Sequence, residues 1–263
     1  MSISKRAFVS FDEPCYYDCK HCYTYGIKRS QARTTDEIIS SISEEQFDVI
    51  YVSQKNDNFS QQKRGISLCE QLFSRYNTNI FIITRSVFSE ESIRQIEKLK
   101  DNMGAYDKEL FIAISLNSLN SYGICENVAK VPSPQERIDF IANLSKSNFR
   151  PILMLRPIFP DSIIPIEECL QIIDQVKDNI SCVVSSELGI NENVLSRLGM
   201  KESDFNLSDN QEYLQGAIDC DIKFIDVSNE LKIISDKCEH LGINLFKHSM
   251  TALNFLANSN RIK

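Results

Sequence analysis

The sequence predicts an α/β fold built on a parallel sheet. Six short runs rich in apolar, β-branched and aromatic residues recur along the chain. Between them lie stretches with apolar residues at helical spacing, several opened by a capping signature. Strands that alternate with helices form β/α units, whose strands run parallel. At 263 residues the chain has room for one such domain or two small ones. It carries no Pro/Gly/Ser-rich linker and no repeat. One domain over 1–263 is therefore expected, with its core at about 7–185 and an extension at 186–263 that completes or covers the sheet.

The first strand is expected at 7–11, within Arg6-Ala-Phe-Val-Ser-Phe11, and Asp12, Glu13 and Pro14 end it. Thr34-Thr-Asp-Glu37 has the form of a capping box, with Ile38, Ile39 and Ile42 behind it. A second strand follows at 48–53, then a helix over 66–76 carrying Ile66, Leu68, Cys69, Leu72 and Phe73. The third strand is Asn79–Thr84, and Ser89 opens a helix with Ile93, Ile96 and Leu99 on one face. After a strand at 110–116, Ser133-Pro-Gln-Glu136 combines a cap, a proline at the first helical position and a glutamate at the third. Ile138, Ile141 and Leu144 give that helix its apolar face. A strand at 151–156, a helix over Ile166–Val176 and a strand at 182–185 complete the regular alternation. Weaker strand patterns stand at 222–227 and 243–246. The polar stretch 191–221 reads as an insertion or a loosely packed helical segment.

Apolar residues make up 42 % of the chain and charged residues 25 %, the balance of an ordinary globular protein. The net charge of −7 argues against a large nucleic-acid footprint, which needs clustered Lys and Arg. Lys55, Lys63 and Arg64 are the one small basic candidate. No run approaches the roughly eighteen apolar residues of a membrane span. Met1–Arg6 leads into a strand rather than an apolar signal segment, so no secretory signal is expected. Nine cysteines without such a signal point to a reducing, cytoplasmic setting, with thiols that are buried or bind metal.

Three of those cysteines fall in Cys15-Tyr16-Tyr17-Asp18-Cys19-Lys20-His21-Cys22, followed at once by Tyr23. Thiolates are the soft ligands that hold iron–sulfur clusters. Three close cysteines ligate three irons of a [4Fe–4S] cubane and leave the fourth open to a small molecule. The run lies in the loop after the first strand. Zinc is the competing metal, since His21 between two cysteines offers a local Cys3His set, although no second C-x2-C pair exists. Cys69, Cys125, Cys169, Cys182, Cys220 and Cys238 are scattered singly and read as small buried apolar residues.

The C-x3-C-x2-C loop resembles the signature of the radical S-adenosylmethionine (SAM) superfamily. That resemblance implies a (β/α)6 partial TIM-type barrel with functional groups at the C-terminal ends of its strands. It implies a [4Fe–4S] cluster on Cys15, Cys19 and Cys22, with SAM bound to the open iron through its amino and carboxylate groups. One electron from a low-potential donor of flavodoxin or ferredoxin type then cleaves SAM to methionine and a 5′-deoxyadenosyl radical, which takes hydrogen from a substrate. The Gly-Gly-Glu-Pro segment common in the superfamily is absent. Val52-Ser-Gln-Lys-Asn56-Asp57 stands there instead and resembles the spore photoproduct lyase-like branch, so that Asn56 and Asp57 are expected to accept from the SAM ammonium. In Thr84-Arg85-Ser86 the arginine replaces that branch's lysine and suits the SAM carboxylate. Ser115 is expected near SAM at the end of the fourth strand, and Arg156 reaches in from the fifth. Pro132-Ser-Pro-Gln-Glu-Arg137 also matches the branch. His21 and Tyr23 flank the last cysteine as candidate partners of the adenine. The resemblance names no catalytic residue and leaves the substrate open among peptide, metabolite and nucleic acid, the last disfavoured by the acidic balance. The contrasting expectation is a non-enzymatic structural or redox-sensing protein that holds zinc or an iron–sulfur cluster.

Overall fold

The computed structural model describes residues 3–24, 33–42, 47–53, 56–208 and 222–259. Cys220 and Lys55 lie outside them. The regular alternation is present: β1 (Arg6–Val9), α1 (Thr35–Ser41), β2 (Val49–Val52), α2 (Gln62–Tyr76), β3 (Asn79–Thr84), α3 (Glu90–Gly104) and β4 (Leu110–Ser115). The short α4 (Tyr122–Cys125) precedes α5 (Pro134–Lys146), β5 (Ile152–Ile158), α6 (Ile166–Val176) and β6 (Cys182–Glu187). Then come β7 (Gly189–Ile190), α7 (Glu192–Leu198), β8 (Lys223–Phe224), α8 (Ser228–His240), β9 (Leu245–Phe246) and α9 (Ser249–Ser259).

The main sheet runs β1-β2-β3-β4-β5-β6-β9, and every pairing in it is parallel. Consecutive order means that each right-handed crossover advances the same way, so the crossover helices gather on one face. The result is an open, TIM-like partial barrel. It has seven strands where six were expected, because the weak pattern near 243 supplies β9, two residues beside Val183 and Val184. The other weak strand does not join this sheet. β8 pairs antiparallel with β7, which the sequence pattern did not show. At two residues, β7 is too short for alternation to reveal.

Both faces of the sheet are buried, which is why its strands read as continuous apolar runs. Ile50, Val52, Ile80, Ile82, Ile112, Ile114, Leu153 and Leu155 pack outward against the helices. Val49, Tyr51, Phe81, Phe111, Ala113, Ile152 and Met154 point to the concave face, where Ala252, Leu253 and Leu256 of α9 meet them. Ile3 joins that inner cluster and ties to α9 through Asn254, whose side chain bonds the Ile3 amide and carbonyl at 2.6 and 2.8 Å.

The capping boxes at Thr34 and Ser133 form as their sequences predict. α2 starts at Gln62, earlier than its apolar pattern implies, directly behind a 3-10 turn over Asn58–Gln61. Gly65 makes that junction possible: a Cβ there would lie 2.8 Å from the Phe59 ring and 2.9 Å from the Asn58 carbonyl oxygen. Among the described residues no helix is long and apolar enough to cross a membrane.

Candidate iron–sulfur and SAM site

In a parallel sheet all strand ends of one kind share one rim. The loop after β1 carries the three cysteines to the C-terminal rim. Asp18 takes a left-handed conformation within it, at φ 49°, and the Cys22 amide donates to the Cys19 carbonyl at 3.1 Å. The three thiols pack together with Tyr17 and Val131. Cys15 Sγ accepts from the Asp57 amide at 3.4 Å, and Cys22 Sγ lies 3.0 Å from Thr24 Oγ1.

Burial pushes the Cys15 and Cys19 thiols above their ordinary range, and the neighbouring cysteines of the loop add to the rise. Ionising Cys15 and Cys19 in this dry loop requires a compensating positive charge, which an iron–sulfur cluster supplies. The donor set fits such a cluster: soft, close and largely shielded from water. Among the described residues no group of His, Cys, Asp or Glu side chains is arranged around a single metal ion. A single tetrahedral ion needs its ligands to converge on one point. A cubane asks less, since each thiolate takes its own iron. The described cysteines outside the loop are all free and buried, as their scatter predicts.

Two clamps hold the cysteine loop. The first is the segment after β4. The Cys125 carbonyl accepts from the Lys20 amide at 2.9 Å and the His21 amide at 3.4 Å. It also accepts from His21 Nδ1 at 2.9 Å. A carbonyl only accepts, so Nδ1 carries the proton. His21 Nε2 is then a bare lone pair, and it accepts from the Arg85 guanidinium at 3.1 Å. Burial, aided by the Arg85 charge, lowers the His21 pKa to about 4, so the ring is neutral at pH 7. The second clamp comes from α7. Arg197 donates to the Cys19 and Asp18 carbonyls at 2.9 and 3.0 Å and to the Asp18 carboxylate at 2.6 Å. Asn191, the N-cap of α7, donates to the Tyr23 carbonyl at 3.3 Å.

Behind the loop lies a buried charge network. Glu126 is fully buried between Arg85, at 2.9 Å, and the equally buried Arg137, at 2.6 Å. Burial pushes its carboxyl up, but Arg137 and Arg85 outweigh that and hold its pKa down to about 2. Arg137 also donates to the Ser115 carbonyl at 2.8 Å. Asp57 caps the 3-10 turn through the Phe59 amide, at 3.0 Å. It accepts as well from Thr84 Oγ1, at 2.8 and 2.9 Å, and from the Arg85 amide, at 2.6 Å.

The structure thus joins Cys15, Asp57, Arg85 and His21 in one hydrogen-bonded set. Asn56 lies beside it, donating to the Glu13 carbonyl at 3.3 Å. Its Oδ1 is a buried acceptor with no partner, as is that of Asn117. Ser115 reaches the network through Arg137. Arg156 stands apart: it follows Met154 by two residues toward the concave face, and its charge acts on the Tyr51 phenol. Tyr23 packs partly buried against the outer core. The basic candidate is no patch, since Arg64 pairs with Glu13 and stacks on the Phe11 ring at 3.8 Å. Sequence reasoning missed Glu126, Arg137 and Arg197 as site residues. Arg137 had a signal: it is a cation in the first turn of a helix, where the dipole disfavours it. Arg197, in the last turn of α7, looks like ordinary dipole matching.

The radical SAM superfamily model matches residues 13–173. No curated protein matches. Among solved structures, SuiB of Streptococcus suis bound to S-adenosylmethionine aligns with 93 % of this chain and 50 % of its own, at 10 % identity and a TM-score of 0.55. SuiB bound to the precursor peptide SuiA aligns with 94 % of this chain and 49 % of its own, at 10 % identity and a TM-score of 0.60. This chain therefore spans about half the length of SuiB. Such identities show a shared fold. With a family match over more than half of its residues, opening on a cysteine loop that the fold sets at its rim, the chain belongs to the radical SAM superfamily.

Proposed function

We propose that this protein is a radical SAM enzyme whose Cys15, Cys19 and Cys22 hold a [4Fe–4S] cluster. The observation that carries the reading is the three-thiol loop, braced from two sides at the C-terminal rim of the sheet. A cluster held by Cys15, Cys19 and Cys22 would supply the electron for reductive cleavage of SAM and so the radical chemistry of this superfamily. The chain's own residues bind and position. Asn56 Oδ1, buried and unpartnered, accepts from the SAM ammonium. Asp57 sets the loop after β2 and the start of the Arg85 segment, and it fixes the cap of the 3-10 turn. Arg85 has five N–H donors, and those beyond its bonds to Glu126 and His21 meet the SAM carboxylate. Ser115 and Arg156 line the approach, while His21 and Tyr23 border the adenine.

The substrate class we favour is a peptide. The SuiB structure that aligns best of the two holds a precursor peptide, and the acidic balance here disfavours nucleic acid. The segments 52–57 and 132–137 support a place near the spore photoproduct lyase-like branch by sequence pattern, while Arg85 stands where that branch has lysine. On this reading residues 7–185 form the catalytic core, and 186–263 cover it and brace the cluster loop. A reducing cytoplasm suits its oxygen-sensitive cofactor, with a flavodoxin- or ferredoxin-type protein as donor.

The test is anaerobic reconstitution, iron and sulfide analysis, and reduction by dithionite in the presence of SAM. We expect about four irons per chain on the cubane stoichiometry and release of 5′-deoxyadenosine. A C15A/C19A/C22A variant should do neither. A colourless, zinc-containing product would sink the proposal.

A further inference from the structure

We propose that the exposed face of the cysteine loop and the β4–α5 segment is the docking surface for an acidic, low-potential electron carrier. This rests on the radical SAM reading and names the partner of that same site. Six large hydrophobic side chains are exposed among the described residues, and three of them, Tyr16, Ile124 and Val128, lie on these two segments. The segments are stitched together: the Lys20 amide donates to the Cys125 carbonyl, and Lys20 Nζ donates to the Gly123 carbonyl at 2.9 Å. Val128 closes over Gly123, where an added Cβ would meet its methyl at 3.2 Å. Between the segments and α7 runs a cleft of about 450 Å3, bordered by Asp18, Lys20, Gly123, Val128 and Arg197.

Charge decides the occupant. The chain carries −7 overall, yet the cations at this face are Lys20, Lys130 and Arg197. Asp18 is taken up by Arg197 at 2.6 Å and Lys130 at 4.0 Å. Glu126 also borders the cleft, but its carboxylate is buried and paired with two arginines. Lys130 stands 5.8 Å from the centre of the Tyr16 ring. An acidic protein is repelled by the molecule as a whole and drawn to this face, which is how electrostatics steers association. A second copy docking through its own copy of this face would bring cation to cation. A substrate must reach the open iron, whereas an electron carrier needs only to come near the ligand-bearing backbone. Tyr16 and Lys20 directly follow Cys15 and Cys19. Redox complexes are brief and small, burying less than about 1,200 Å2 in total, so three apolar contacts rimmed by cations suffice. One electron leaves the carrier and enters the cluster, and no bond forms or breaks.

The experiment titrates the reconstituted holoprotein with an oxidised, acidic flavodoxin at rising salt. The affinity should fall steeply with ionic strength, and K130E and the pair I124D/V128D should each raise Kd at least tenfold. I233D, an equally exposed change on α8, should leave Kd unaltered. Dithionite needs no docking, so 5′-deoxyadenosine formed with it should be the same in K130E as in the unaltered protein. Equal Kd values in all variants would overturn the proposal, as would an equal loss of dithionite-driven cleavage. So would a dimer, seen by sedimentation, that I124D/V128D dissolves. Failure of the unaltered protein to cleave SAM with dithionite would instead overturn the enzymatic reading beneath it.

Discussion

Cys125 serves through its carbonyl, not its sulfur. That one oxygen receives the Lys20 amide and both the amide and ring of His21, while its thiol sits 3.6 Å from Ser118 Oγ and the Tyr122 carbonyl. Replacing the side chain leaves the carbonyl in place. C125A should therefore retain full iron content after reconstitution, whereas C19A should lose most of it; equal losses would refute this division of labour. Glu126 is a different case, a buried carboxylate that two arginines require. E126Q leaves those charges uncompensated and should cost about 3–5 kcal/mol of stability, read from urea unfolding. Its pH dependence follows from its depressed pKa. The Glu126 contribution is complete above its ordinary 4.5 and is lost as pH falls toward about 2. E126Q should accordingly flatten the acid limb of the stability profile over that window. Arg85 and His21 were legible as candidates, but not their partners, because those bonds join residues 41 and 104 positions apart. The three cysteines of the loop were legible because their spacing is local.

At the scale of elements, legibility tracked how much of the signal sits inside one segment. The capping boxes at Thr34 and Ser133 are complete within four residues and formed as read. β7 and β8 have two residues each and depend on one another; the weak pattern at 222–227 marked β8, but nothing announced β7 or their pairing. The early start of α2 was hidden because its first turn is polar and is held by tertiary contact. Gly65 is the test of that junction. G65A drives a methyl into the Phe59 ring and the Asn58 carbonyl and should cost about 1–3 kcal/mol. It should also weaken SAM binding, because the displaced turn is the one Asp57 caps. Unchanged SAM affinity would show that the turn and the site are independent. α7 carries its function in one residue. R197A removes three hydrogen bonds to the cysteine loop. The cluster should then bleach several-fold faster in air, followed by its visible absorbance, with the far-ultraviolet dichroism unaltered.

Across the whole molecule, the alternation of strands and helices made the architecture readable, but not what fills its hollow side. The inner residues of the strands look like any apolar run, and only the structure shows that α9 lies against them. Phe81 is fully buried at the middle of that layer. F81A should cost about 3–5 kcal/mol, and an L253A change on the facing helix should be less than additive with it, because the two side chains share one cluster. Full additivity in thermal or urea unfolding would place α9 elsewhere in solution. The position of α9 has a kinetic meaning as well. Its later part is fastened to the amino-terminal side of the sheet, by Asn254 to Ile3 and by the Leu256 carbonyl to Arg150. A hollow stopped at its base admits and releases nothing from that end. Whatever binds deepest goes in first, and nothing behind a product leaves before it. Steady-state analysis should therefore give an ordered pattern, with SAM ahead of the substrate, where a hollow open at both ends would allow either to arrive first.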